Sequence, residues 1–215
     1  MLAAPALRGG TAARSAFLLA GLALFALGIV LLLEAELGLS PWDVLNQGVS
    51  ERTPLSFGMA NVAVALVVLG LARLLGARIG AGTVANAVLV GLFVDAYLQL
   101  DVITRLSESP LGPRVAMLAG GILVIGVASA LYIGANMGAG PRDSLMLVLS
   151  SRTRRRVGVV RAGLEIGATG LGFALGGTVG VGTLAFAFGV GPAVETAFRV
   201  VQKTPLAEGE VASAA

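Results

Sequence analysis

Residues 38–45 read Gly38-Leu39-Ser40-Pro41-Trp42-Asp43-Val44-Leu45, and one hundred positions later the chain reads Gly138-Ala139-Gly140-Pro141-Arg142-Asp143-Ser144-Leu145. The same offset holds without a gap well beyond the motif. Ser50, Arg52 and Thr53 match Ser150, Arg152 and Thr153, and Gly80, Gly82 and Thr83 match Gly180, Gly182 and Thr183. Gly91 and Val94 match Gly191 and Val194, while Asp95 is answered by another acid, Glu195. Positions 38–98 and 138–198 share 20 identities in 61, where a composition so rich in Ala, Leu, Gly and Val gives roughly a tenth by chance. Arg14 with Arg114 and Gly21 with Gly121 carry the match toward the start of each half. The chain is an internal duplication, one copy over 14–100 and the other over 114–200.

What each copy contains follows from hydropathy. Of 215 residues, 56% are hydrophobic and only 13% charged, and the mean hydropathy is +0.91. That is too little charge to cover a soluble domain of this size, so lipid is the expected solvent. Apolar stretches of spanning length, about 20 residues at 1.5 Å each, lie at 15–35, 57–76, 81–100, 115–136, 157–177 and 181–200. Charges punctuate their ends, among them Glu34, Arg78, Asp101, Arg114 and the run Arg152 to Arg156. Arg8 and Arg14 before the first stretch resemble the start of a signal peptide, but that stretch has a counterpart deep in the chain and is expected to stay as a span. The expected architecture is all-α and integral to the membrane. A single domain over 14–200 holds six transmembrane helices and two short ones, between disordered tails at 1–13 and 204–215.

Three spans per copy is an odd number, so the second copy must enter from the opposite side, an inverted repeat. Arginine placement is an independent test. With the N-terminus inside, the cytoplasmic face collects Arg8, Arg14, Arg73, Arg78, Arg142, Arg152, Arg154, Arg155, Arg156, Arg199 and Lys203, against Arg52, Arg105 and Arg114 outside. This bias predicts that both termini are cytoplasmic.

The repeated motif is too short to cross the bilayer. Ser40 has the chemistry of an N-cap, Pro41 suits the first helical position, and Asp43 supplies a first-turn carboxylate. Gly140, Pro141 and Asp143 repeat the pattern. Two readings stay open at this point. Either a pair of half-helices enters from opposite faces to line a central site, or two interfacial helices cover the bundle ends. The first copy, with Trp42, Leu45 and Val49 on one face and Asp43, Asn46 and Gln47 elsewhere, looks interfacial. The second, apolar from Leu145 to Leu149, looks buried.

Polar side chains inside spans are costly and mark candidate solute or ion pathways. Glu165 falls about 12 Å along the fifth span, with Arg161 one turn before it on the same face. Their counterparts are Asn61 and Ala65, so this pair breaks the repeat. Asn86 adds a polar group to the third span, and Asp95 and Glu195 lie near span ends. Each has a bland alternative. Arg161 can snorkel and pair with Glu165, and Asp95 and Glu195 can serve as helix-end charges. Gly163, Gly167, Gly172 and Gly176 give small-residue spacing expected to pack within the chain.

The sequence lacks Cys and His, which removes thiolate chemistry, disulfides and imidazole ligands. It also lacks a phosphate-binding loop and a Gly-x-Ser-x-Gly elbow. No catalytic residues, cofactor, metal or nucleic-acid partner is expected, so the protein is not read as an enzyme. The Leu39-Ser40-Pro41-Trp42-Asp43 motif, its second copy Gly138-Ala139-Gly140-Pro141-Arg142-Asp143 and the Gly180-Val181-Gly182-Thr183 turn resemble the YczE/YyaS/YitT-type family of bacterial multi-pass membrane proteins. The resemblance covers about 14–200 and implies location and architecture more than activity. From the architecture, the expected function is a secondary transporter or channel for a small molecule or ion. The alternative is an accessory or scaffold protein that transports nothing, with the Arg152–Arg156 cluster as a docking face.

Overall fold

Every one of the six apolar stretches forms one long helix in the computed structural model, which describes residues 5–207. In chain order the helices are α1 (Thr11–Ala35), α2 (Pro41–Arg52), α3 (Phe57–Leu74), α4 (Ala81–Leu98) and α5 (Asp101–Thr104), the last followed by a 3-10 turn at Arg105–Glu108. Then come α6 (Leu111–Gly134), α7 (Pro141–Thr153), α8 (Val157–Ala174) and α9 (Val181–Gln202). Six of them, α1, α3, α4, α6, α8 and α9, are long and apolar enough to cross a membrane. The short helices α2 and α7 span about 18 and 20 Å, well under the roughly 30 Å hydrocarbon core.

The expected tails differ. Leu7 is fully buried against Ala130, Ala197, Phe198 and Val201. Its amide donates to the Gly134 carbonyl at 3.0 Å, that of Arg8 donates to the Leu206 carbonyl at 2.8 Å, and Leu7 bridges Ala207. Pro5, Leu7 and Ala207 are therefore packed on the bundle, while residues 8–12 stay exposed. A lone leucine carries no periodicity, and the slot it fills exists only once α6 and α9 have come together. The remaining tail residues, 1–4 and 208–215, lie outside the described residues.

The core is the pair α1 and α6, whose Leu22, Ile29 and Leu32 pack in one cluster with Leu118, Ile122 and Ile125. Gly21 abuts Ala128 and Tyr132, while Gly28 abuts Gly121 and Ile125. Numbering falls along α6 as it rises along α1, so these matched helices are antiparallel.

Backbone geometry repeats with the sequence. Glu36 and Asn136 take left-handed φ of 48° and 52°, and Gly38 and Gly138 take 111° and 130°. The contacts made there cross between the copies. The Gly182 amide donates to the Leu37 carbonyl at 2.6 Å, and that of Gly82 donates to the Met137 carbonyl at 2.9 Å. Arg52 Nε donates to the Leu175 carbonyl at 3.0 Å, and Arg152 Nε to the Leu75 carbonyl at 2.9 Å. Each short helix likewise packs on the other copy, α2 on α8 and α7 on α3.

Two expectations about packing are corrected. The amphipathic α2 is the enclosed helix, burying Asp43, Val44, Leu45 and Asn46, whereas apolar α7 leaves Leu147 50% exposed. In lipid an outward leucine costs nothing, so apolarity does not signal burial, while polar groups must find polar surroundings. Second, Gly163 and Gly167 face open space, and only Gly172 within α8 makes a close contact, against Val44 and Leu45.

Gly138 offers a first test. Its φ of 130° disfavours any side chain, and a Cβ would sit 2.6 Å from the Thr83 hydroxyl. Gly138→Ala should lower stability by about 1–3 kcal/mol, read as a fall in the thermal midpoint of the detergent-purified protein. Gly163→Ala, where space is open, should leave the midpoint unchanged or higher.

Candidate functional site

After α1 the chain turns at Glu36, runs extended through Ser40 and begins α2 in the protein interior. Pro41 has no amide hydrogen to lose at this position. The Ser40 hydroxyl accepts from the Asp43 amide at 3.3 Å and also bonds the Asp43 carboxylate, which receives a further hydrogen bond from Asn46 Nδ2 at 3.1 Å. Ser40 is 3% exposed and Asp43 1%. In the second copy Gly140 has no hydroxyl to offer. Asp143 is bonded instead by the Tyr132 hydroxyl of α6 at 3.3 Å, and Tyr132 meets Phe25 of α1 edge-to-face at 6.0 Å.

The N-termini of α2 and α7 converge. Arg142 lies 3.9 Å from the Asp43 carboxylate, and its Cζ stands 5.2 Å from the centre of the Trp42 ring. Trp42 and Arg142 are matched positions of the two copies, so the copies meet here. Around this contact is a cavity of about 210 Å³. Phe25 and Ile125, near the middles of α1 and α6, line it, as do Asn61 of α3 and Asn86 of α4. Gly140 sits beside Asn86, five residues into α4 and so ~8 Å from that helix's start. Arg161 and Glu165 of α8 complete the wall, with Nε donating to Oε1 at 2.9 Å.

Of the residues singled out in the sequence, Asp43, Asp143, Arg161, Glu165 and Asn86 come together at this cavity, with Ser40, Pro41, Gly140 and Pro141 on its wall. Asp95 and Glu195 do not. Asp95 accepts from the Ser56 hydroxyl at 2.5 Å and the Gly58 amide at 2.8 Å, tying the start of α3 to α4. Glu195 pairs with Arg199 at 2.7 Å in an exposed i, i+4 bridge.

Arg142 is the residue the sequence reading misplaced. Its sequence position groups it with the cytoplasmic charges, but it lines the cavity, and without it the expected bias is ten against three. Trp42, Tyr132 and Asn61 were also missed. The repeat carries one signal: along the matched pairs α2/α7 and α3/α8, 42/142 and 61/161 are the positions that exchange an uncharged residue of the first copy for an arginine of the second, while the exchanges at 54/154, 55/155 and 56/156 lie in the connecting loops. Asn61 is 3% exposed, and its Nδ2 has no hydrogen-bond partner among the described residues. No cluster of three or more metal-ligating side chains occurs among the described residues.

Six spanning helices around a cavity that holds the charged side chains Asp43, Arg142, Asp143, Arg161 and Glu165 define a multi-pass membrane protein. The chain belongs to the family of unknown function DUF6198, matched over residues 12–199. It is 35% identical over 190 residues to an uncharacterized protein of Haemophilus influenzae, covering 87% of this chain and 84% of that one. It is 31% identical over 174 residues to the uncharacterized membrane protein YczE of Bacillus subtilis, covering 80% and 79%. It is 26% identical over 166 residues to YyaS of the same organism, covering 76% and 82%. These relatives agree with the resemblance drawn from the motifs. No solved structure matches.

Proposed function

We propose that the protein is a secondary transporter or channel for a small solute in the bacterial cytoplasmic membrane, built from two copies inserted with opposite polarity. One observation carries the reading: the N-termini of two short helices, one from each copy, converge on a single interior cavity that also holds the charged side chains of α8. Backbone interrupted at membrane depth is tolerated where it lines such a cavity, and opposed broken helices at a repeat interface are the arrangement secondary transporters use. The antiparallel course of α1 and α6 and the reciprocal contacts between copies support the inversion.

Two measurements test this. Reporter fusions at 50–56 and 150–156 should report opposite compartments, with 150–156 cytoplasmic; a shared compartment removes the inversion. In proteoliposomes the protein should conduct a solute down or against an imposed ion gradient. Glu165→Gln and Asp143→Asn should each cut the flux tenfold or more, because each removes an ionisable group from the cavity wall, where such groups mark solute and ion pathways. Flux unaltered in both variants removes the cavity from the pathway.

A further inference from the structure

Among the side chains on the cavity wall, hydrogen-bond donors are left wanting. Arg142 carries five N–H groups, yet its one carboxylate contact is at 3.9 Å, beyond hydrogen-bond reach, and it makes no hydrogen bond among the described residues. Arg142 Cζ stands 5.2 Å from the centre of the Trp42 ring, within cation–π range, a contact that uses none of its N–H donors in hydrogen bonds. Asn61 Nδ2, buried on the same wall, is also unpartnered. Both short helices aim their N-termini inward, adding partial positive charge.

The acids of the wall are engaged. Asp43 holds Ser40 and Asn46, Asp143 takes the Tyr132 hydroxyl, and Glu165 holds Arg161. Asn46 Oδ1 is an unpartnered acceptor, but Asn46 does not line the cavity.

We propose that the solute bears a carboxylate or comparable oxyanion, and that Arg142, braced by Trp42 and loosely by Asp43, is the residue that binds it, with Asn61 as a second donor. This rests on reading the cavity as the solute site and adds the chemical class. The bidentate edge of a guanidinium matches a carboxylate or phosphate, and a charge-assisted pair in a site with few competing waters is strong. The volume of about 210 Å³ lies under the roughly 300 Å³ at which pockets begin to hold drug-sized molecules, so the solute is small. Arg161 on the α8 wall is already paired with Glu165 at 2.9 Å, which leaves Arg142 as the cavity's arginine without a hydrogen-bonded acid among the described residues.

The protein contains its own reporter, because Trp42 is its single tryptophan. Purified protein in phosphatidylcholine nanodiscs at fixed sodium chloride would be titrated with acetate, benzoate, succinate and inorganic phosphate, and separately with guanidinium and choline. At least one oxyanion should change Trp42 emission saturably, and neither cation should. Arg142→Lys should weaken that binding about tenfold or more, since it keeps the charge and loses the fork. The double variant Asp43→Asn/Arg142→Gln removes both charges together and should abolish the response while still eluting as a folded protein. A saturable response to a cation, an oxyanion response indifferent to both variants, or a folded protein silent to all four oxyanions overturns the proposal. Oxyanion binding without flux in proteoliposomes overturns the transport reading alone. Flux of a cation without oxyanion binding overturns this inference and leaves transport standing.

Discussion

Arg142→Gln should destabilise the protein by about 3 kcal/mol, and adding Asp43→Asn should recover most of that loss. Removing one member of an enclosed ion pair leaves an uncompensated charge, which costs roughly 3–5 kcal/mol, whereas neutralising both members is often close to neutral. The lower end applies because the Arg142 side chain is 30% exposed, toward the cavity, while that of Asp43 is 2% exposed. The Asp43 carboxylate retains Ser40 and Asn46 after the substitution, but neither brings a positive charge. The measurement is a double-variant cycle on unfolding in mixed micelles, where a coupling near zero would mean that the pair is incidental.

The second large effect lies at Gly172. Helix α2 docks on α8 through backbone, and a Cβ on Gly172 would collide with the Val44 and Leu45 main chain while Gly48 abuts the Gly172 carbonyl. Gly172→Leu should therefore push α2 off α8 and carry Ser40, Trp42 and Asp43 away from the cavity. Overpacking of this kind costs about 1–3 kcal/mol where side chains can move and more where backbone must. The expected result is loss of the monodisperse folded species on size exclusion together with a red shift of the emission of half-buried Trp42. Gly170→Leu, on the same helix but in open space, should behave as the unaltered protein. Equal behaviour of the two variants would contradict the docking described here. The matched position on α3 is Ala72, which is buried beside Leu145. The α3–α7 contact thus accommodates a methyl group that α2–α8 does not.

Much of this site was legible in the residues. Ser40, Pro41 and Asp43 form the expected helix start, because capping depends on three or four neighbouring residues. Arg161 and Glu165 pair as their i, i+4 spacing predicts. Glu195 pairs with Arg199 at the same local spacing, whereas the tie from Asp95 to Ser56 and Gly58 crosses between helices. What local reasoning could not supply is which charges meet across the chain. Arg142 looked like one more cytoplasmic arginine until α7 was placed against α2, and Tyr132 looked like one aromatic in an apolar span until its hydroxyl was found on Asp143.

Span number, span boundaries and the duplication are written locally. A crossing needs about 20 apolar residues because lipid offers the backbone no hydrogen bonds, and that demand is met within each helix whatever its neighbours do. Facing is a different matter. Hydrocarbon accepts a leucine as readily as a protein interior does, so nothing in the apolar pattern distinguished enclosed α2 from partly exposed α7. Their places came from the packing of the two copies against each other, where polar groups such as Asp43 and Arg142 had to find partners that no single helix contains.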